Sequence, residues 1–90
     1  MMKDELFKFH EDPGHGWLEV SLQQLQSLGL DTTDISGYSY RSVDGNTLYL
    51  EEDCDAGLFV GKYRNEYGKT PEYKVRYEED SFVRNLPRVQ

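Results

Sequence analysis

The sequence predicts an α+β domain: a small antiparallel sheet of about four strands, a mixed sheet being the alternative, with two helices packed mainly on one face. Three observations lead there. Residues near 21–28 and 55–67 carry apolar side chains at helical spacing between capping signals. Residues 47–51 and 72–77 alternate as half-exposed strands do. Strands and helices then follow one another in the order β-α-β-β-α-β, which small sheets with helices on one side adopt. Ninety residues support one modest core, so the chain reads as a single domain, 1–90, with loosely ordered ends at about 1–8 and 79–90.

The elements follow in order. Residues 1–12 are mixed in charge and carry no assigned element. Asp12-Pro13-Gly14 is a turn signal, and Trp17-Leu18-Glu19-Val20 after it reads as a short strand. Ser21 with Gln24 forms a capping box, and Val20 and Leu25 are placed as its hydrophobic staple. Leu22, Leu25 and Leu28 make one apolar face, and Gly29 stands where such a helix ends. Residues 35–51 read as a β-hairpin. Tyr38 and Tyr40 share one face of its first strand, Asp44-Gly45-Asn46 forms the turn, and Leu48 and Leu50 lie opposite Tyr49 on the return strand. A second helix starts near Asp53 or Asp55, either of which suits an N-cap. Ala56, Phe59, Val60, Tyr63 and Tyr67 share its buried face, Gly68 ends it and Pro71 bars its continuation. Glu72 to Tyr77 is the last strand, and residues 78–90 read as a loop and tail.

Composition narrows the function classes. Aromatics make up 13% of the chain, seven of them tyrosine, which a disordered chain usually lacks. No stretch approaches the roughly 20 apolar residues that span a bilayer. The first residues carry no signal-peptide pattern, and a single cysteine, Cys54, makes no intrachain disulfide, so the expected compartment is the cytoplasm. The net charge of −7 is uneven: residues 1–55 hold 12 acids against three bases, while residues 56–90 hold seven bases against five acids. An acidic surface repels nucleic acid and anionic membrane, so neither is an expected direct partner; a protein with a basic surface is.

Four features can carry chemistry. Asp12, His15 and Trp17 form a candidate pocket, with His10 and Glu11 beside them in His10-Glu11-Asp12-Pro13-Gly14-His15-Gly16-Trp17. The spacing matches no zinc pattern, and an ordinary tight turn accounts for it better. Glu51, Glu52, Asp53 and Asp55 form an acidic run too short for an EF-hand loop, and Asp53 and Asp55 have a plainer role at a helix start. No metal and no cofactor are therefore expected. Cys54 stands at a helix N-terminus, which favours thiolate, among carboxylates, which oppose it; a structural cysteine is the favoured reading. Some of the seven tyrosines belong to the core and two or three are surplus to it; Tyr38, Tyr40 and Tyr49 lie in the hairpin, and tyrosine suits interfaces. They and the acidic run form the candidate partner-binding surface. No catalytic motif is visible, so no catalytic residue is assigned and no enzyme is expected.

Asp12 to Val20, Ile35-Ser36-Gly37-Tyr38-Ser39-Tyr40-Arg41, and Tyr49 to Phe59 resemble a group of small proteins encoded by tailed phages and prophages. The resemblance covers roughly residues 10–60 and brings no assigned activity. It implies a bacterial host cytoplasm and an accessory protein that blocks a host process such as defence. The favoured expectation is a non-enzymatic binder that inhibits or redirects a host protein through its acidic, tyrosine-bearing surface. The alternatives are a small enzyme or ligand- or metal-binding domain using His15 and the Glu51–Asp55 carboxylates, a DNA mimic, and a self-associating virion component.

Overall fold

The computed structural model describes residues 6–90; of the loose start expected at about 1–8, residues 1–5 lie outside that range, while residues 6–8 belong to a strand. Five strands form one mixed sheet: β1 (Leu6–Glu11), β2 (Gly16–Ser21), β3 (Tyr40–Arg41), β4 (Thr47–Glu51) and β5 (Glu72–Tyr77), in the order β3-β4-β2-β1-β5. The helices are α1 (Leu22–Ser27) and α2 (Ala56–Tyr67). The α+β class and the placement of the helices agree with the sequence. The sheet is mixed, because β5 joins β1 in parallel while the other neighbours are antiparallel. Among the described residues no helix is long and apolar enough to cross a membrane.

The strand that sequence reading left unassigned, β1, lies inside the sheet between β2 and β5. Its alternation is short but real. Phe7 and Phe9 turn to the helices, where Phe7 packs edge-on against Phe59 and Tyr63 at 5.7 Å. The polar residues between them are matched on the other face: Lys8 stands opposite Glu19, and His10 Nε2 lies 2.7 Å from Glu19 Oε1. Charges at alternate positions therefore disguise an interior strand.

Two layers of side chains cover the sheet. On one face Phe7, Leu18, Val20, Leu48 and Leu50 pack with Leu25 and Leu28 from the first helical segment and Ala56, Phe59 and Tyr63 from α2. The Ser21 capping box is present: the Ser21 hydroxyl accepts from Gln24 N–H, and the Gln24 side chain accepts from Ser21 N–H. Gly29, at a φ of 80°, ends this helix as expected. On the opposite face Trp17 and Tyr49 pack with Val83 and the half-buried Tyr40 and Leu86. This second layer comes from the tail. Residues 79–90, expected to be loose, include a 3-10 turn, Phe82–Asn85, that buries Val83 completely. The alternation of β4 thus serves two cores, with Leu48 and Leu50 in one and Tyr49 in the other.

Two boundaries differ from the sequence reading for one physical reason. The hairpin's first strand is only Tyr40–Arg41, so Tyr38 lies in the preceding turns and not on a strand face with Tyr40. Asp55 occupies the N-cap position of α2 but makes no side-chain cap there. Its carboxylate instead accepts from Ser36 N–H at 3.1 Å, from the Ser36 hydroxyl at 2.7 Å and from the Ser39 hydroxyl at 2.5 Å. The Ser39 oxygen in turn accepts from Glu51 N–H at 2.9 Å. Serines that reach a buried carboxylate hold residues 36–39 in turns and stop the strand from starting earlier.

Replacing Asp55 with alanine leaves two buried or half-buried hydroxyls and a backbone N–H without their acceptor. The expected loss of stability is about 2–4 kcal/mol, read by urea denaturation. Ser39→Ala, which removes two hydrogen bonds but leaves the Ser36–Asp55 links, is expected to cost less.

Candidate functional site

The residues singled out around the turn before Trp17 and in the acidic run meet in space. A depression of about 310 Å³ is lined by His15, Trp17, Tyr38, Tyr40, Glu51, Asp53, Cys54, Arg84 and Arg88. A wider depression of about 600 Å³ runs along the outer side of α2, past Gly57 and Gly61. It is a shallow groove left by glycines and offers no acid–base pair, so the chemistry lies with the first.

The depression is assembled by register. Trp17, the second residue of β2, stands directly opposite Glu51, the last residue of β4, and this pairing brings the His15 turn beside the acidic run. His15 Nδ1 comes within 3.5 Å of Glu51 Oε2. Beside Trp17, Gly16 leaves room for Phe9 and Glu52 on the other face: a Cβ there would sit 2.5 Å from Phe9 Cζ and 3.1 Å from Glu52 Oε1. Tyr38 is delivered by the serine-pinned turns, its N–H donating to the Ser36 hydroxyl at 3.1 Å.

The candidate residues divide by exposure. Trp17 is 2% exposed, with Tyr40 edge-on at 6.0 Å and the Arg84 guanidinium 5.3 Å above its ring. Its Nε1 finds no acceptor among the described residues, so ring contacts hold the indole. Asp12 is also buried and pins the β1–β2 turn: Oδ1 accepts from Gly14 and His15 N–H, and Arg84 grips both oxygens through Nε and Nη2. That guanidinium holds the Asp12 carboxyl far below the ordinary carboxylate range. Tyr49, Glu51 and Asp55 are all buried, which removes the three from any partner-facing surface. Glu52, Asp53 and Tyr38 remain outside, with Tyr38 64% exposed.

Electrostatically the depression is two-sided. Glu51 and Asp53 form one wall, and Glu51, Glu52 and Asp53 each offer a carboxylate oxygen within 4.8 Å of the others. Partial burial, then the neighbouring Asp53 and Glu51 charges, push Glu52 above the ordinary carboxylate value. The other wall is Arg84, committed to Asp12, and Arg88, which lies 5.3 Å over the Tyr40 ring and donates to Gly37 O. Cys54 is exposed, but its hydrogen bond with Glu51, with some burial and the surrounding acids, pushes its thiol up. The acids therefore override the helix N-terminus, and the thiol is a poor nucleophile at neutral pH.

Arg84 and Arg88 are the residues sequence reading missed. Both lie in the tail taken for loose, and the arginines alone gave no hint of their ring partners. A tail that carries Val83 and Leu86 beside those arginines was the only available signal. Comparison with models of known protein families, with characterised proteins and with solved structures yields no match to this chain.

Two outcomes follow from these shifts. Asp12→Asn is expected to lower the urea midpoint at pH 7. Because the folded carboxyl is depressed, its stabilisation is complete above the unfolded value of about 3.9 and fades as pH falls below it. The gap between the two proteins should therefore hold from neutral pH to about 4 and close below that. Alkylation of Cys54 by iodoacetamide at pH 7 is expected to be slow, and Glu51→Gln, which removes the largest cause of the raised thiol, should speed it.

Proposed function

We propose that this protein is a small, non-enzymatic accessory protein that binds a host protein and inhibits or redirects it, taking a basic side chain of that partner at the acidic, tyrosine-bearing rim of the depression. The observation that carries the reading is Tyr38: a large aromatic side chain, 64% exposed, held by a hydrogen-bonded turn beside Glu51 and Asp53. Fixing the backbone that carries an exposed tyrosine lowers the entropy lost on binding. Arg84 and Arg88 already cover the rings of Trp17 and Tyr40, whereas no ring or guanidinium of the described residues stacks on Tyr38. A lysine or arginine arriving from outside would meet that ring together with the Asp53 and Glu52 carboxylates.

The raised thiol of Cys54 speaks against nucleophilic catalysis, and the two arginines break any continuous acidic stripe that a DNA mimic would need. The phage resemblance supplies the setting of a host cell and a host target. The His15–Glu51 contact supports a second reading, a small-ligand pocket, which stands or falls with the same experiment.

The test is a tagged pull-down from bacterial lysate, washed at low and high salt. One stoichiometric partner released by high salt is expected. Tyr38→Ala and the pair Glu52→Lys with Asp53→Lys should weaken its binding by about tenfold or more while leaving the fold intact. Glu51 is unsuitable for a lysine swap, because it is buried and a charge reversal there would disturb the fold. Unchanged capture by folded variants overturns the proposed surface, and no partner at either salt moves the reading to the ligand pocket.

A further inference from the structure

The chain treats the two edges of its sheet differently. At the β3 edge its own tail closes the ladder: Arg41 N–H donates to Pro87 O, Val89 N–H donates to Ser39 O, and Tyr40 bridges Arg88. At the β5 edge no strand follows among the described residues, and all six residues Glu72–Tyr77 are exposed. Tyr73, Val75 and Tyr77 are 54%, 47% and 55% exposed. A bare apolar edge of this kind is a template for strand pairing.

The register states what the edge offers. Tyr73, Val75 and Tyr77 stand beside Phe7, Phe9 and Glu11 on the helix face, while Glu72, Lys74 and Arg76 lie on the other. Glu78 N–H donates to Glu11 O on β1 at 2.9 Å. Backbone groups alternate from side to side along a strand, so Glu72, Lys74 and Arg76 bond towards β1. The N–H and C=O groups of Tyr73, Val75 and Tyr77 therefore point out of the sheet.

The geometry points to self-association: β5 pairs antiparallel with β5 of a second copy, joining two sheets edge to edge. Sequence selects the register. Symmetry about Val75 would set Lys74 against Arg76 and Glu72 against Glu78, like charges throughout. Symmetry about Tyr73 would set Val75 against Pro71, which has no N–H to return. Symmetry about Arg76 would set Lys74 against Glu78 but keep only residues 75–77 of each strand paired within β5. Symmetry about Lys74 keeps residues 72–76 paired, moves Pro71 out to face Tyr77 at the strand end, sets Glu72 opposite Arg76 twice and makes Tyr73 and Val75 two hydrogen-bonded aromatic–β-branched pairs. Lys74 then faces its own copy, with Glu72 of the other strand on its diagonal. The strand's charge order is thus complementary to itself in the register that pairs residues 72–76 of both strands.

The test is sedimentation equilibrium of the full chain from about 10 μM to about 1 mM, the range in which weak specific contacts are populated. A monomer–dimer equilibrium is expected. Arg76→Glu places acids opposite Glu72 and should raise the dimer Kd by about tenfold, and Glu72→Arg should act likewise. The double variant Glu72→Arg with Arg76→Glu should restore pairing, a recovery that misfolding cannot mimic. Val75→Pro removes an outward N–H while sparing the β1 ladder, and it should leave a folded monomer. A monomer across the whole range overturns the proposal, as does a dimer indifferent to all these variants. Capture of an extended peptide by a strictly monomeric chain would give the edge to another occupant and also overturn it. Tyr38→Ala should leave the dimer unchanged, which separates this outcome from that of the proposed binding surface.

Discussion

One buried carboxylate sets the shape of the functional end of the molecule. Asp55 draws in the Ser36 and Ser39 hydroxyls, and Ser39 passes the connection on to the Glu51 backbone. A charge is costly to bury unless hydrogen bonds replace its water, and here the backbone and two hydroxyls do so. The cluster fastens the start of α2 to the loop before β3 and to the end of β4. That loop carries Tyr38 and leads into Tyr40, the first residue of β3, while Glu51 ends β4 and Asp53 follows it, so the cluster fixes their mutual positions.

A second constraint works from the other side. A ninety-residue chain has few apolar residues, and its helices cover only one face of the sheet. The tail covers the other with Val83 and Leu86, held down by the Asp12–Arg84 pair. An ion pair on a half-exposed arginine contributes little by itself. Its value here is geometric, because Asp12 also closes the β1–β2 turn and so ties the first hairpin to the last segment of the chain. The first hairpin and the tail thus meet at the depression.

What was legible in the sequence was local. The Ser21–Gln24 box, the Gly29 and Gly68 helix ends and the Leu48/Leu50 alternation each depend on neighbours a few residues apart. The convergence of Asp12, His15 and Trp17 with the acidic run was an open question, because it rests on Trp17 pairing with Glu51 across the sheet. The misreadings share that cause. Lys8 and His10 hid β1 because their partner, Glu19, lies on another strand. Asp55 read as a cap because the serines that claim it are 16 and 19 residues away. Tyr49 read as a surface tyrosine because the tail that buries it had no pattern of its own.

The two surfaces lie on different sides of the sheet. The depression belongs to the β3–β4 side, and β5 is the far edge, four strand spacings or about 19 Å from β3. Pairing through β5 therefore leaves the depression open in each copy and turns the two outward. A dimer of this form presents two rims of Tyr38, Glu52 and Asp53 related by a twofold axis. Against a partner that repeats its basic site, the second contact becomes intramolecular and gains an effective concentration that a single rim lacks. A weak edge contact and a small rim can then reinforce each other. Binding of both rims to such a partner stabilises the strand pair, and the strand pair in turn strengthens the hold of the rims.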